Sequence, residues 1–237
     1  MVSPLFPLSV ENASVTRRGK RLLGPVNLTL PADGFTVVIG PNGAGKTTLL
    51  KVLHGIERLS EGSVSWSIAT KEARNKQAYV FQRPIMLRRS VQDNLIYPLT
   101  LAGLSRRAAL IQADDWAHRI GLGDAMDRPA PQLSGGEQQK LALARALIQS
   151  PDVLFLDEPC ANLDGPATRD IETLLRNAHA AGTRIIMTTH SIGQVRRLAS
   201  DVIFLHQGQV HEHGLRAAVL DTPQTSELAA FLIGDII

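Results

Sequence analysis

The sequence predicts an α/β protein: a core of parallel strands, a β-rich antiparallel layer beside it and a helical segment inserted between core elements. Three observations carry that expectation. Runs at 35–39, 153–156, 184–189 and 202–205 are rich in branched and aromatic apolar residues, the composition of strands buried on both faces. The first stops at a glycine cluster and is followed by Leu49, Leu50, Leu53 and Ile56 at helical spacing, which gives strand, loop, helix. Between 90 and 132 no strong strand signal appears, and helical periodicity runs from Ser105 through Ile120.

The remaining elements follow in order. Segments 8–15, 26–30, 62–68 and 77–81 show partial alternation and are expected as shorter, antiparallel strands. Ser134 and Glu137 form a capping box that opens a helix through Ile148, which ends before Ser150 and Pro151. Residues 1–237 are expected to form a single domain, with about 1–87 and 136–237 building the core and β layer and about 88–135 the helical part.

Composition narrows the function. At 44 % hydrophobic residues the chain can bury a sizeable core, and 25 basic against 22 acidic residues leave only +3, so no strong nucleic-acid footprint is expected. A lone cysteine, Cys160, excludes an internal disulfide framework and is expected to be a small buried residue. No apolar run approaches the roughly 18 residues needed to span a bilayer. The segment 1–15 also lacks the pattern of a secretory leader. The chain is therefore expected to stay soluble, with any membrane spans supplied by another polypeptide.

Gly40-Pro41-Asn42-Gly43-Ala44-Gly45-Lys46-Thr47 matches the phosphate-binding loop G-x-x-x-x-G-K-[ST]. A polyphosphate needs converging backbone N–H groups, and small residues let the backbone come that close. Lys46 adds a point charge for the terminal phosphates, and the Thr47 hydroxyl can ligate Mg²⁺. Val153-Leu154-Phe155-Leu156-Asp157-Glu158 is an apolar run ending in two carboxylates. Read alone, it is equally a core strand ending in solvated acids. Beside a phosphate loop, Asp157 can orient Mg²⁺ and Glu158 can polarise an attacking water.

Leu133-Ser134-Gly135-Gly136-Glu137-Gln138 resembles the signature of ATP-binding cassette (ABC) ATPases, and the resemblance covers nearly the whole chain. It implies a P-loop NTPase core with an antiparallel β subdomain and an inserted helical subdomain. Gln82 then matches the Q-loop glutamine, a third Mg²⁺ contact; Ala161-Asn162-Leu163-Asp164 matches the D-loop, and His190 the switch histidine. Thr48 extends the nucleotide-binding segment. The resemblance further implies ATP and Mg²⁺ as cofactors and a homodimer that sandwiches nucleotide between one phosphate loop and the partner's signature. Ser134 and the amides of Gly135 and Gly136 would supply the positive helix end for the γ-phosphate.

Two departures from the family pattern stand out. An aromatic residue usually stacks on adenine, and the position matching it by spacing is Arg17. Lys140 stands where many relatives carry arginine. Met86, Leu87, Arg88 and Arg89 follow Gln82 and are expected near the groove that meets the membrane partner. Arg17-Arg18, Arg106-Arg107 and Arg196-Arg197 are expected as solvated faces, and His211 with His213 lacks a third metal ligand.

The family also contains soluble members acting on nucleic acid or ribosomes. Only 51 positions separate Gln82 from Leu133, too few for the coiled coil of chromosome-binding relatives, and one cassette is present rather than the two of translation-type relatives. A P-loop kinase would leave the signature unexplained. The resemblance thus implies an importer subunit that hydrolyses ATP, peripheral on the cytoplasmic face of the plasma membrane, with permease subunits and a substrate-binding protein and no nucleic acid. The segment 81–91 and the tail 231–235 are most similar to tungstate or related oxyanion importers.

Overall fold

The computed structural model describes residues 5–235. Its larger sheet runs, in spatial order, β5 (Gln77–Val80), β6 (Val153–Asp157), β7 (Arg184–Thr188), β3 (Phe35–Ile39), β8 (Asp201–His206) and β9 (Gln209–Leu215). All neighbours are parallel except β8 and β9. A smaller antiparallel sheet has the order β2 (Lys20–Leu30), β1 (Leu8–Arg17), β4 (Glu61–Ser65).

The apolar runs become the central strands, and every residue of β3, β6 and β7 is buried. Successive side chains of these strands turn to opposite faces. Val38, Phe155, Ile186 and Ile203 join a core with the small sheet and with Leu49, Leu50 and Leu53 of α1 (Lys46–His54). Val37, Leu154, Ile185 and Val202 join a second core. That core takes in α5 (Gly135–Leu147), α6 (Gly165–Ala180), α7 (Ile192–Leu198), α8 (Arg216–Asp221) and α9 (Ser226–Ile233).

One strand differs from expectation. Residues 77–80 do not join the antiparallel layer; they form β5, parallel to β6 at the edge of the large sheet. Gln77, Ala78 and Tyr79 are half-buried because an edge strand is covered incompletely, so an edge of the parallel sheet carries the mixed polar and apolar residues expected of a partly solvated antiparallel strand.

The helical part consists of α3 (Val91–Leu101) and α4 (Arg106–Arg119), preceded by a short α2 (Thr70–Arg74) near β5. Val91, Leu95 and Leu99 pack with Ala109, Ala113 and Ala117, and Leu133 just before the signature helix, with Leu141 and Ala144 within it, closes the same cluster. Ser90 and Ser105 cap α3 and α4 by accepting from Asp93 and Ala108 N–H groups.

At the opposite end of the central strands, Arg184 is buried. Its Nη2 donates to Thr36 Oγ1, its Nε donates to Pro31 O at 3.2 Å, and Asp201 lies 3.7 Å away. β3, β7 and β8 are thereby tied where they begin, which leaves their carboxyl ends to carry the chemistry.

Candidate active site

β3 delivers the chain to Gly40, whose φ of 147° lies at the margin of the left-handed range. A Cβ there would fall 2.0 Å from Leu205 O, so only glycine lets the loop pass β8. Gly45 also has a positive φ, 102°, and starts α1 without any side-chain cap or acidic residue in the first turn. The first amides of α1, those of Lys46, Thr47 and Thr48, are left for an anion at the positive helix end. Asn42 and Gly43 are exposed, whereas Pro41 and Ala44 are buried and Ala44 O accepts from Gly208 N–H at 2.9 Å. The loop is thus anchored at its base and open at its tip.

Lys46 is only 6 % exposed and folds back over the loop, with Nζ donating to Gly40 O at 2.8 Å and Pro41 O at 3.1 Å. Burial lowers its pKa from the usual lysine value, while Glu158 and Asp157 pull the other way without cancelling it.

The parallel register sets Asp157 beside Thr188 and Thr188 beside Val38, so the ends of β6, β7 and β3 are level. Asp157 Oδ1 accepts from Thr47 Oγ1 at 2.9 Å and from Thr188 Oγ1 at 2.9 Å. The same Thr188 oxygen accepts from Glu158 N–H at 2.9 Å. Glu158 leaves the strand at a φ of 46°, a left-handed conformation uncommon for a side chain of this kind. Its Oε2 lies 3.3 Å from Gln82 Nε2 and 3.3 Å from His190 Nδ1. Residues following β5, β6 and β7 therefore meet at one carboxylate oxygen.

Lys46, Thr47, Gln82, Asp157, Glu158 and His190 are thus brought together from six separate positions. Thr188 went unread, although a hydroxyl ending an apolar strand two residues before His190 was visible. Thr47, Gln82 and Asp157 offer hydroxyl, amide and carboxylate oxygens, hard donors that fit magnesium. Among the described residues no cluster of three or more His, Cys, Asp or Glu side chains competes for a metal. The His211 ring packs edge-on against Phe204, and His213 lies 3.9 Å from Asp201.

The signature lies apart from this cluster. Ser134 Oγ accepts from Glu137 N–H at 3.4 Å while Glu137 Oε2 accepts from Ser134 N–H at 2.7 Å, which completes the capping box. Hydrogen bonds from the Ser134 side chain, then its backbone, hold the Glu137 carboxyl below the usual carboxylate range. Ser134 and Gly135 are exposed, and Gly136 faces Ala167 at the start of α6, where a Cβ would come 3.3 Å from the alanine methyl. Asp164 caps α6 by accepting from Ala167 N–H at 2.8 Å, and Lys140 reaches Asp170 at 3.3 Å.

The arginine pairs lie on solvated faces as expected, but several of their side chains hold partners. Arg197 pairs at 2.7 Å with the buried Glu172 carboxylate. Arg196 pairs with Asp221 at 3.1 Å, and Arg17 holds both Glu57 oxygens through Nη2 at 2.7 Å. Those bonds lie at the guanidinium edge and leave its faces available. Cys160 is half-buried, and burial pushes its thiol up to about 11, which keeps it protonated and inert.

Of the segment after Gln82, Ile85 and Leu87 line a groove of about 410 Å³ with Tyr97, Leu101 and Arg145. Met86 turns inward against the cores, and Arg88 with Arg89 lines a separate recess beside Pro129 and Pro131. The four residues expected near the groove therefore split three ways, and the chain bends at Arg88 and Arg89, where it leaves the groove for the recess.

Comparison with known proteins matches this geometry. The ABC transporter family profile covers residues 23–161. A tungstate uptake system ATP-binding protein from Peptoclostridium acidaminophilum is 38% identical over 86% of this chain and 97% of its own. A phosphate import ATP-binding protein from Mycoplasmoides gallisepticum (strain R(low / passage 15 / clone 2)) is 30% identical over 98% of this chain and 77% of its own. An ATP-binding cassette solved as a dimer in a post-hydrolysis state with ADP and phosphate superposes with a TM-score of 0.79 at 25% identity, over 88% of this chain and 98% of that one. This chain belongs to the ABC transporter family and is an ATPase that uses ATP with Mg²⁺.

Proposed function

We propose that the cluster around Glu158 hydrolyses ATP by in-line attack of water on the γ-phosphorus. The convergence of Gln82 and His190 on Glu158 Oε2 carries this reading. Glu158 accepts the proton as the water oxygen bonds to phosphorus and the bond to the β–γ bridging oxygen breaks. Lys46 exchanges its two loop carbonyls for phosphate oxygens, and His190 bonds the γ-phosphate. Thr47, Asp157 and Gln82 are the residues that would hold Mg²⁺, which neutralises charge developing on the phosphates.

The exposed signature supports a dimer. Ser134 and the free amides of Gly135 and Gly136 have no phosphate loop of their own within hydrogen-bonding reach, so a second copy supplies it. The groove after Gln82 supports a permease as the membrane partner. No helix among the described residues is long and apolar enough to cross a membrane. We read the chain as the motor of an importer at the cytoplasmic membrane face, fed by a substrate-binding protein; its likeness to import ATP-binding proteins supports this reading, and the nearly balanced charge favours it over nucleic acid.

The cargo is tungstate or a related oxyanion, supported by the 38% identity with the tungstate uptake protein. Reconstitution with the permease tests it. ATP turnover is expected to rise when the binding protein is loaded with tungstate, or more weakly with molybdate. Stimulation by an amino acid or a sugar, with the oxyanions inert, refutes the cargo and leaves the motor standing.

A further inference from the structure

The phosphate site has an outer wall that the sequence motifs do not supply. A cavity of about 340 Å³ is lined by Gly40, Pro41 and Asn42 of the phosphate loop, by Glu158 and His190, and by Ile192 and Phe231. Phe231 belongs to α9, roughly forty residues beyond the switch histidine, and it packs against Phe204 of β8 with ring centroids 5.5 Å apart. α9 is fixed at its other end by Glu212 of β9. Glu212 Oε1 accepts from Gln224 N–H at 2.9 Å, from Thr225 N–H at 2.7 Å and from Thr225 Oγ1 at 2.6 Å. Gly234, with a φ of 88°, ends the helix.

The need for such a wall follows from how His190 is held. Its side chain is 63 % exposed, and its Glu158 contact is 3.3 Å long. On the inner side the loop is secured, since Thr189 Oγ1 donates to Gln194 Oε1 at 2.7 Å and accepts from Ser191 N–H at 3.1 Å. On the outer side the cavity beside His190 is walled by Ile192, the first residue of α7, and by the Phe231 ring.

We infer that α9 is a positioning element of the ATPase site, in which Phe231 backs the His190 loop and Glu212 locks the helix that carries it. The inference rests on the role of His190 given above. Phe231 walls the cavity from the side of α9; deleting its ring widens the space beside the loop, so His190 loses its orientation while the phosphate loop stays anchored through Gly208.

The test measures kcat, KM and ATP affinity for Phe231→Ala, Phe231→Leu, Glu212→Ala and His190→Ala in the full-length chain. Phe231→Ala is expected to lower kcat about 5- to 10-fold, with ATP affinity within twofold of wild type. Phe231→Leu restores most of kcat because it refills the space, a recovery that general destabilisation would not produce. Glu212→Ala lowers kcat in the same way, and its effect is less than additive with Phe231→Ala. Wild-type kcat in Phe231→Ala, or a fall in kcat matched by an equal loss of affinity, overturns the inference. Wild-type turnover in His190→Ala would instead refute the histidine's role, so the two failures are distinguishable.

Discussion

The proposed mechanism hangs on a single carboxylate, because Glu158 is the point at which three loops meet. Glu158→Gln keeps size and hydrogen bonding but cannot take the water's proton. It is expected to cut hydrolysis by roughly 10²- to 10⁴-fold while ATP still binds, and to trap a nucleotide-bound dimer visible by size-exclusion chromatography. Lys46→Ala removes the buried cation and loses binding itself, as equilibrium titration would show. Glutamine-variant turnover near wild type would disprove the general-base role. The phosphate loop was legible because it is a local string with a required chemistry, whereas the acidic pair gained its reading from that loop upstream and His190 from the family resemblance. Thr188 was not, since a lone threonine has no such string; its role arises from register, where it faces Asp157 across two parallel strands. Phe231 was legible only as part of a tail. Proximity between residues so far apart in sequence is set by tertiary packing, which no local pattern encodes.

At the scale of elements, the parallel strands are held at their amino ends by a buried charge. Arg184 bonds Thr36, Thr36 Oγ1 donates to Asp201 Oδ2 at 2.5 Å, and Asp201 lies 3.7 Å from Arg184, so β3, β7 and β8 share one network. Burial raises the Asp201 pKa, but bonds from His213 and Thr36, the Arg184 charge and a bond from Ser200 outweigh it and leave the value lowered. A lowered carboxylate pKa contributes stability above its unfolded value near 3.8, and loses it as pH falls through the folded value. Arg184→Leu removes the charge facing Asp201, leaving the carboxylate with its Thr36, Ser200 and His213 partners, and is expected to cost about 3 kcal/mol at pH 7, measured by urea unfolding. The deficit should shrink toward pH 3, where Asp201 can protonate; a pH-independent deficit would assign the loss to packing. β5 teaches the complementary lesson. Its half-buried pattern could belong to either sheet, and only pairing with β6 distinguishes them. The signature helix was read correctly because its capping box is local.

For the whole molecule, the question is how events at Glu158 reach a membrane partner. Gln82 Nε2 contacts Glu158, and three residues later Ile85 enters the groove between β5, α3 and α5, so one short segment touches both the catalytic carboxylate and the groove. The groove floor is apolar, with Tyr79, Phe81 and Ala146, yet Ile85 and Leu101 are 61% and 75% exposed at its rim. Arg145 bridges its wall by donating to Ile85 O and to Asn94 Oδ1 at 3.1 Å. Exposed apolar residues around a recess are costly to leave in water and mark a surface meant to be covered. On the proposed reading the occupant is a helix of the permease, whose apolar stripe would fill the floor while its ends meet Arg145 and solvent. Ile85→Asp combined with Leu101→Asp would place two carboxylates in that contact. The double variant is expected to keep the basal ATPase rate of the isolated chain, because neither residue touches the nucleotide site, and to lose co-purification with the permease and its stimulation of turnover. If the permease still binds and stimulates the double variant, the docking surface lies elsewhere. If basal turnover falls as well, the groove and the Gln82 loop are one mechanical unit even without the partner, and the separation of docking from chemistry argued here is wrong.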